Sequence, residues 1–207
     1  MGRIDTPRDD TRERLLSAAL SHFAERGFYG ASIAQIAGEL DLTKQALLYY
    51  FKRKEDLYSE VLKRISDQLM AAIRQSVDAS KRPAEQFEDM ILAIYQHSIS
   101  APLGTRVLMR ELLENQERAQ KAEAWFLRPF LDQIVSTLDK VDGLENVPRA
   151  QKFAAMYQML GAIEYFAISR PTPTQMYGQI EYGEIATAYP DELRAQIRRL
   201  VECGQGC

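Results

Sequence analysis

Between Ser32 and Phe51 the chain reads SIAQIAGELDLTKQALLYYF, a stretch that few folds can use. Ile33, Ile36, Ala37 and Leu40 recur at helical spacing, so a short helix buries one face. Ser32 and Gln35, three places apart, have the form of a capping box at its start. Asp41-Leu42-Thr43 breaks the period, and Thr43 is placed to cap a second helix running from Lys44 to about Phe51. Two short helices at a steep angle across a tight turn form the helix-turn-helix geometry, whose second helix enters the major groove of DNA.

The free face of that second helix follows from its period. With Leu47 and Phe51 toward the core, Gln45, Ala46 and Tyr49 point away, and Lys44, Leu48 and Tyr50 flank them. An outward tyrosine beside further apolar surface suits a groove, where apolar atoms meet thymine methyls and a glutamine bonds adenine through two contacts. Lys52, Arg53 and Lys54 follow at once, and no acidic residue lies between Thr43 and Lys54. A three-helix core with a solvated basic end would give the same pattern without DNA.

The run GFYGASIAQIAGELDLTKQALLYYFKRKEDL, from Gly27 to Leu57, carries more than the period. Gly27-Phe28, Ser32, Ile36-Ala37, the cluster Tyr49-Tyr50-Phe51 and Lys54-Glu55-Asp56-Leu57 stand in a spaced order. This order resembles the DNA-binding domain of the TetR/AcrR family of transcriptional regulators, over about the first quarter of the chain. The resemblance implies DNA contacts from Ser32, Thr43, Lys44, Gln45, Ala46, Tyr49, Tyr50 and Lys54. Two positions depart from the family's pattern. Asp41 stands where glycine is usual in the turn, and aspartate is among the few other residues that tolerate a left-handed backbone. Leu48 stands at the family's phosphate-contacting tyrosine, which leaves that role to Tyr49 or Tyr50.

Composition sets the outer bounds. A chain of 207 residues with net charge −3 has no global attraction to nucleic acid, so DNA affinity must come from a local patch. The charged opening MGRIDTPRDDTRER lacks the apolar core of a signal peptide, and no stretch reaches the length of a membrane span; the expected location is the cytoplasm. Arg3 and Arg8 sit on an N-terminal arm that can reach a minor groove, although a disordered tail is the plainer reading. Cys203 and Cys207 lie four apart with no histidine nearby, a poor metal site.

The expected class is all-α: an N-terminal three-helix helix-turn-helix domain over residues 1–60, its motif at about 32–51, and a helical ligand-binding and dimerisation bundle over 61–207. Helix one starts at Asp10 or Thr11, buries Leu16, Ala19, Leu20 and Phe23, and ends at Gly27. A long helix with Leu57, Val61, Leu62, Ile65, Leu69, Ile73 and Val77 runs to about Ala79. Further helices are expected at 84–100, 103–115, 117–141 and 148–168. Pro129 falls inside the third of these and should bend it at Trp125. After Arg170-Pro171-Thr172-Pro173 a long polar connection is expected, then a last helix from Pro190 to about Glu202.

The segment 148–168 is apolar most of the way round, so it needs cover on every side. The resemblance assigns the last two long helices to a four-helix interface between two copies, with Leu160, Ile163 and Ile197 as its candidates. Tyr95, Met109, Trp125 and Phe126 are candidate lining for a small-molecule effector, with Arg106, His97 and Glu164 able to fix a polar end; ordinary core and surface pairing are the bland readings. Only His22 and His97 are available to acid–base chemistry, and no phosphate loop, metal cluster or nucleophile elbow is present, so neither an enzyme nor a cofactor is expected. The reading is a DNA-binding regulator, a ligand-responsive repressor on a palindromic operator, acting as a homodimer. The alternative is a helical protein-interaction adaptor that has lost DNA contact.

Overall fold

The computed structural model describes residues 7–114 and 127–204, with side chains for 10–114 and 127–202. Trp125, Phe126, Arg3 and Cys207, and the side chains of Arg8 and Cys203, lie outside the described set. All regular structure in that set is helical. In chain order the helices are α1 (Pro7–Gly30), α2 (Ile33–Gly38), α3 (Lys44–Tyr50), α4 (Lys54–Ser76), α5 (Pro83–Ser100), α6 (Pro102–Glu114), α7 (Arg128–Leu138), α8 (Arg149–Ser169) and α9 (Pro171–Gly204).

The chain divides into two compact units. The first holds Met1–Ser66 and Arg106–Ala124, and the second holds Asp67–Thr105 and Trp125–Cys207. Both α4 and α6 therefore contribute to each unit.

The first unit is built on α1. Leu15, Leu16, Ala19 and Phe23 face inward with Ile36, Ala37, Leu47, Phe51, Leu57 and Val61. The Tyr58 ring meets Phe23 edge-on, with centroids 4.8 Å apart. Helix α1 begins at Pro7, earlier than the expected Asp10 or Thr11, because proline at a first helical position loses only an N–H that has no partner there. Gly27, at φ 69° and ψ 177°, breaks the helix in a conformation that essentially only glycine takes. The box expected of Ser32 and Gln35 does not form. Ser32 is the N-cap of α2 but its side chain makes no capping bond, and Arg26 Nη1 takes the Gln35 Oε1 at 2.5 Å instead. His22 is packed into this unit, and its Nε2 lies 2.9 Å from Glu39 Oε2.

The second unit packs α5, α7, α8 and α9 with the C-terminal part of α4. Phe87, Met90, Ile91, Ile94, Ile134, Leu138, Met156 and Ile163 form its centre, joined by Leu193 and Ile197. Helix α4 stops at Ser76, slightly short of Ala79. Helix α5 starts at Pro83, where the Arg82 backbone N–H donates to Glu85 Oε2 at 3.0 Å.

The bend expected at Trp125 lies outside the described residues, and Pro129 itself occupies the first turn of α7, where its missing N–H costs no bond.

The long polar connection after Arg170 is helix α9, which runs from Pro171 with a break only at Gly178 (φ 84°) and carries Pro190 in its interior. Packing holds it helical: Tyr182 and Tyr189 stack on Phe166 of α8, with centroids at 6.1 and 3.9 Å, and Tyr189 stacks on Tyr95 at 5.4 Å.

Leu160, Ile163 and Ile197 are not surface for a second copy, because all three are buried in this chain's own core. The apolar side chains that α8 leaves outside are Phe153, Tyr157 and Tyr165, and on α9 Ile180 and Ile185 are exposed.

Candidate nucleic-acid interface

Helix α3 is fixed at both ends. At its start the Thr43 Oγ1 accepts the Ala46 backbone N–H at 3.1 Å, satisfying one of the donors that a helix start leaves open. At its end the Phe51 backbone N–H closes on Leu47 O at 2.9 Å, and Phe51 turns into the core beside the fully buried Leu47. The turn before it runs through Asp41 at φ 57°, the left-handed conformation that aspartate accommodates better than most residues.

With Leu47 and Phe51 anchored, the opposite side of α3 is open. Lys44, Gln45 and Tyr49 are exposed, Tyr49 to 67%. Ala46, Leu48 and Tyr50 are half-buried. The Tyr49 ring stands edge-on to Tyr50 with centroids 5.5 Å apart, so its direction is held by a neighbour. Of the residues that the helical period places outward, Gln45 and Tyr49 are exposed and Ala46 is half-buried, while Lys44, placed on a flank, is exposed. Ser32, half-buried at the start of α2, keeps its hydroxyl out of any capping bond.

Charge at this surface is partly committed. Lys44 and Lys52 form no ion pair with the described residues, whereas Arg53 is bonded to Asp56 at 2.9 Å, which holds that carboxyl below the usual aspartate range. Lys54 is tied into the fold. Its Nζ lies 4.7 Å from the Phe28 ring centroid and donates to Tyr29 O at 3.5 Å, and burial lowers its pKa from the ordinary lysine value. The Lys54 ammonium thus holds the end of α1 beyond the Gly27 break.

Two features were not read from sequence. Tyr29 is 74% exposed in the last turn of α1, flagged only by an aromatic residue inside GFYG. The second is the contribution of α6 to the first unit. Tyr58 donates to Glu111 Oε2 at 2.7 Å, and Arg110 donates through Nε to Ala24 O at 3.1 Å and through Nη2 to Glu25 O at 2.9 Å. Their separation along the chain leaves no local pattern to find.

The remaining candidates fall elsewhere. Tyr95, in the second unit, packs into the ring stack of Phe166 and Tyr189, while Met109 belongs to the first unit. A cleft of about 610 Å³ in the second unit is lined by Lys81, Arg82, Glu85, Asp142, Arg198 and Glu202 among others, a charged surface without any of the expected effector residues. Among the described residues no group of three or more histidine, cysteine or acidic side chains is placed to hold a metal, and no helix is long and apolar enough to cross a membrane.

Residues 15–61 match the family model for bacterial regulatory proteins of the tetR family. The chain is 28% identical over 141 residues to the HTH-type transcriptional activator FasR of Mycolicibacterium smegmatis, a match covering 67% of this chain and 64% of that protein. It is 33% identical over 102 residues to the HTH-type transcriptional regulator RutR of Escherichia coli K12, covering 49% of this chain and 48% of that one. The chain thus spans about half to two thirds of the length of these curated relatives. A solved TetR-like transcriptional regulator from Rhodococcus sp. RHA1 shares the fold, with a TM-score of 0.68 at 18% identity over 96% of this chain and 99% of that one.

Proposed function

Because the chain belongs to the tetR family of bacterial regulatory proteins, we propose that it regulates transcription by reading a specific DNA sequence through α3. One observation carries this: Gln45 and Tyr49 stand exposed on a helix whose other face is locked by Leu47, Phe51 and the Thr43 cap. In a major groove Gln45 reads adenine, Tyr49 offers a ring and a hydroxyl, and Lys44 and Lys52 meet phosphates. An adaptor without DNA contact would have no use for a free polar face backed by that anchoring.

The protein acts as a homodimer on a pseudo-palindrome. Phe153 and Tyr157, four apart, and Tyr165, eight further on, are exposed on α8, and Ile180 is 84% exposed on α9. Exposed apolar surface of this extent marks an interaction site. Two reading heads related by a two-fold axis require half-sites about one helical turn, roughly 34–36 Å, or a multiple of it apart.

A small molecule bound in the second unit releases the DNA, and the regulator is a repressor. Supporting a ligand there are buried polar groups without partners. Among the described residues Ser98 Oγ and Thr174 Oγ1 make no hydrogen bond and Glu164 has no ion pair, its carboxyl pushed up to about 7 by burial. Unsatisfied buried polar atoms are costly, and a ligand's polar end is one way to satisfy them. For regulation the ligand must prefer the conformation that does not grip DNA.

Selection from random duplexes tests the DNA reading. The expected product is a two-fold symmetric site whose affinity falls steeply with salt, as phosphate contacts demand. Retention of no duplex at low salt would reject it.

A further inference from the structure

We infer that Arg110, far from the helix-turn-helix in sequence, is a positioning residue for DNA reading, because its guanidinium fixes the end of α1 from which the reading helices hang. The inference rests on the DNA reading proposed above.

Gly27 interrupts the helical backbone of α1, and the carbonyls of a helix's last turn then need donors from elsewhere. Arg110 brings a planar fork to this end: Nε on Ala24 O at 3.1 Å and Nη2 on Glu25 O at 2.9 Å. Its third arm, Nη1, bonds Glu114 Oε1 at 2.8 Å, one turn further along α6. The Glu114 carboxylate lies over Gly27, where an added Cβ would stand 2.6 Å from Oε2. A positive group at a helix C-terminus also meets the negative end of the helix dipole. With all three nitrogens bonded to protein, Arg110 acts by holding the fold rather than by touching DNA.

What it holds leads straight to the interface. The next residue, Phe28, packs against Tyr58 at 5.1 Å and lies beneath the Lys54 ammonium. Tyr29 O accepts from Lys54, and Ala31 N returns to Gly27 O at 3.2 Å. This segment after the Gly27 break runs directly into Ser32 and α2. Arg110 pins it from the α1 side and Lys54 from the α4 side. A lysine at position 110 would keep the charge and lose the fork, since one ammonium does not reproduce paired planar donors.

The test uses the full chain as wild type, Arg110→Ala and Arg110→Lys. Each is measured against a duplex selected by the wild type, over a salt series, together with amide hydrogen exchange. The expected result is that both variants bind at least tenfold more weakly with the wild-type salt slope. Amides of residues 27–32 exchange at least tenfold faster, and those of residues 87–95 keep their rates. Wild-type affinity in Arg110→Lys would overturn the inference. So would a salt slope reduced by about one, the mark of a lost phosphate contact. Unchanged exchange at 27–32, or faster exchange throughout the chain, would overturn it as well. A wild type that binds no duplex removes the DNA reading instead, and exchange at 27–32 still decides whether Arg110 holds the segment.

Discussion

Tyr58 donates a 2.7 Å hydrogen bond to Glu111, 53 residues away in sequence, and both side chains are buried. The same tyrosine packs edge-on against Phe23. One residue of α4 thereby ties α6 to the core of α1. Replacing Tyr58 by Phe keeps the ring and removes the donor, leaving a buried carboxylate short of one bond. The expected loss is about 1–3 kcal/mol of stability. Urea unfolding followed by circular dichroism measures it, and a change below about 0.5 kcal/mol, within the usual scatter of surface substitutions, would mean that Glu111 is satisfied without Tyr58.

Thr43 caps α3 through the Ala46 N–H, so Thr43→Ala should cost about 1 kcal/mol, a usual value for a lost N-cap. Thr43→Ser, which keeps the oxygen, should recover most of it. Thermal melts of the three proteins decide the point; equal losses in Ala and Ser would implicate the threonine methyl rather than the cap.

Glu164 gives the second unit a defined pH dependence. Its folded pKa, pushed up to about 7 by burial, lies above the ordinary glutamate value. The folded state therefore holds this proton where the unfolded chain has released it, and stability falls as pH rises from about 4.5 to about 7. The full shift corresponds to about 3 kcal/mol, and the solvent access that this half-buried side chain retains reduces it to about 1–2 kcal/mol. Glu164→Gln should be more stable than wild type at pH 8 and equal to it at pH 4. A difference of stability that does not vary with pH would assign the effect to packing.

The proposed dimer places its burden on α8 and α9. Tyr165→Glu and Ile180→Glu alter exposed side chains, so each should yield a folded monomer by light scattering at micromolar concentration. Ile163→Glu should fail to fold, because that side chain has no exposed surface within its own chain. Dimers surviving both surface substitutions would move the interface elsewhere.

Local chemistry made α3 legible in the sequence. Thr43, Leu47 and Phe51 lie within nine residues, and the period between them fixes which side faces out. Asp41 was readable as a left-handed turn residue for the same reason. Where partners come from afar, local pattern failed. Gln35 has the right spacing to cap with Ser32, but Arg26 competes for its oxygen. Pro190 reads as a helix start, yet the stack of Tyr189 on Phe166 and Tyr95 keeps the preceding residues helical. Ile163 and Ile197 belong to an apolar pattern that gives no sign of whether the cover comes from this chain or another. Arg110 carries no local signal, because the carbonyls it bonds are backbone groups more than 80 residues earlier.

Reading by α3 is tested most directly by the base-preference profile of Gln45→Ala beside that of Lys44→Ala, each measured on single-base variants of the selected duplex. Gln45→Ala should relax preference at one position in each half-site, by about 1–3 kcal/mol, and leave the others unchanged. Lys44→Ala should weaken binding to all variants alike and lower the salt slope by about one. A wild-type preference profile in Gln45→Ala would contradict the placement of that face of α3 in the groove.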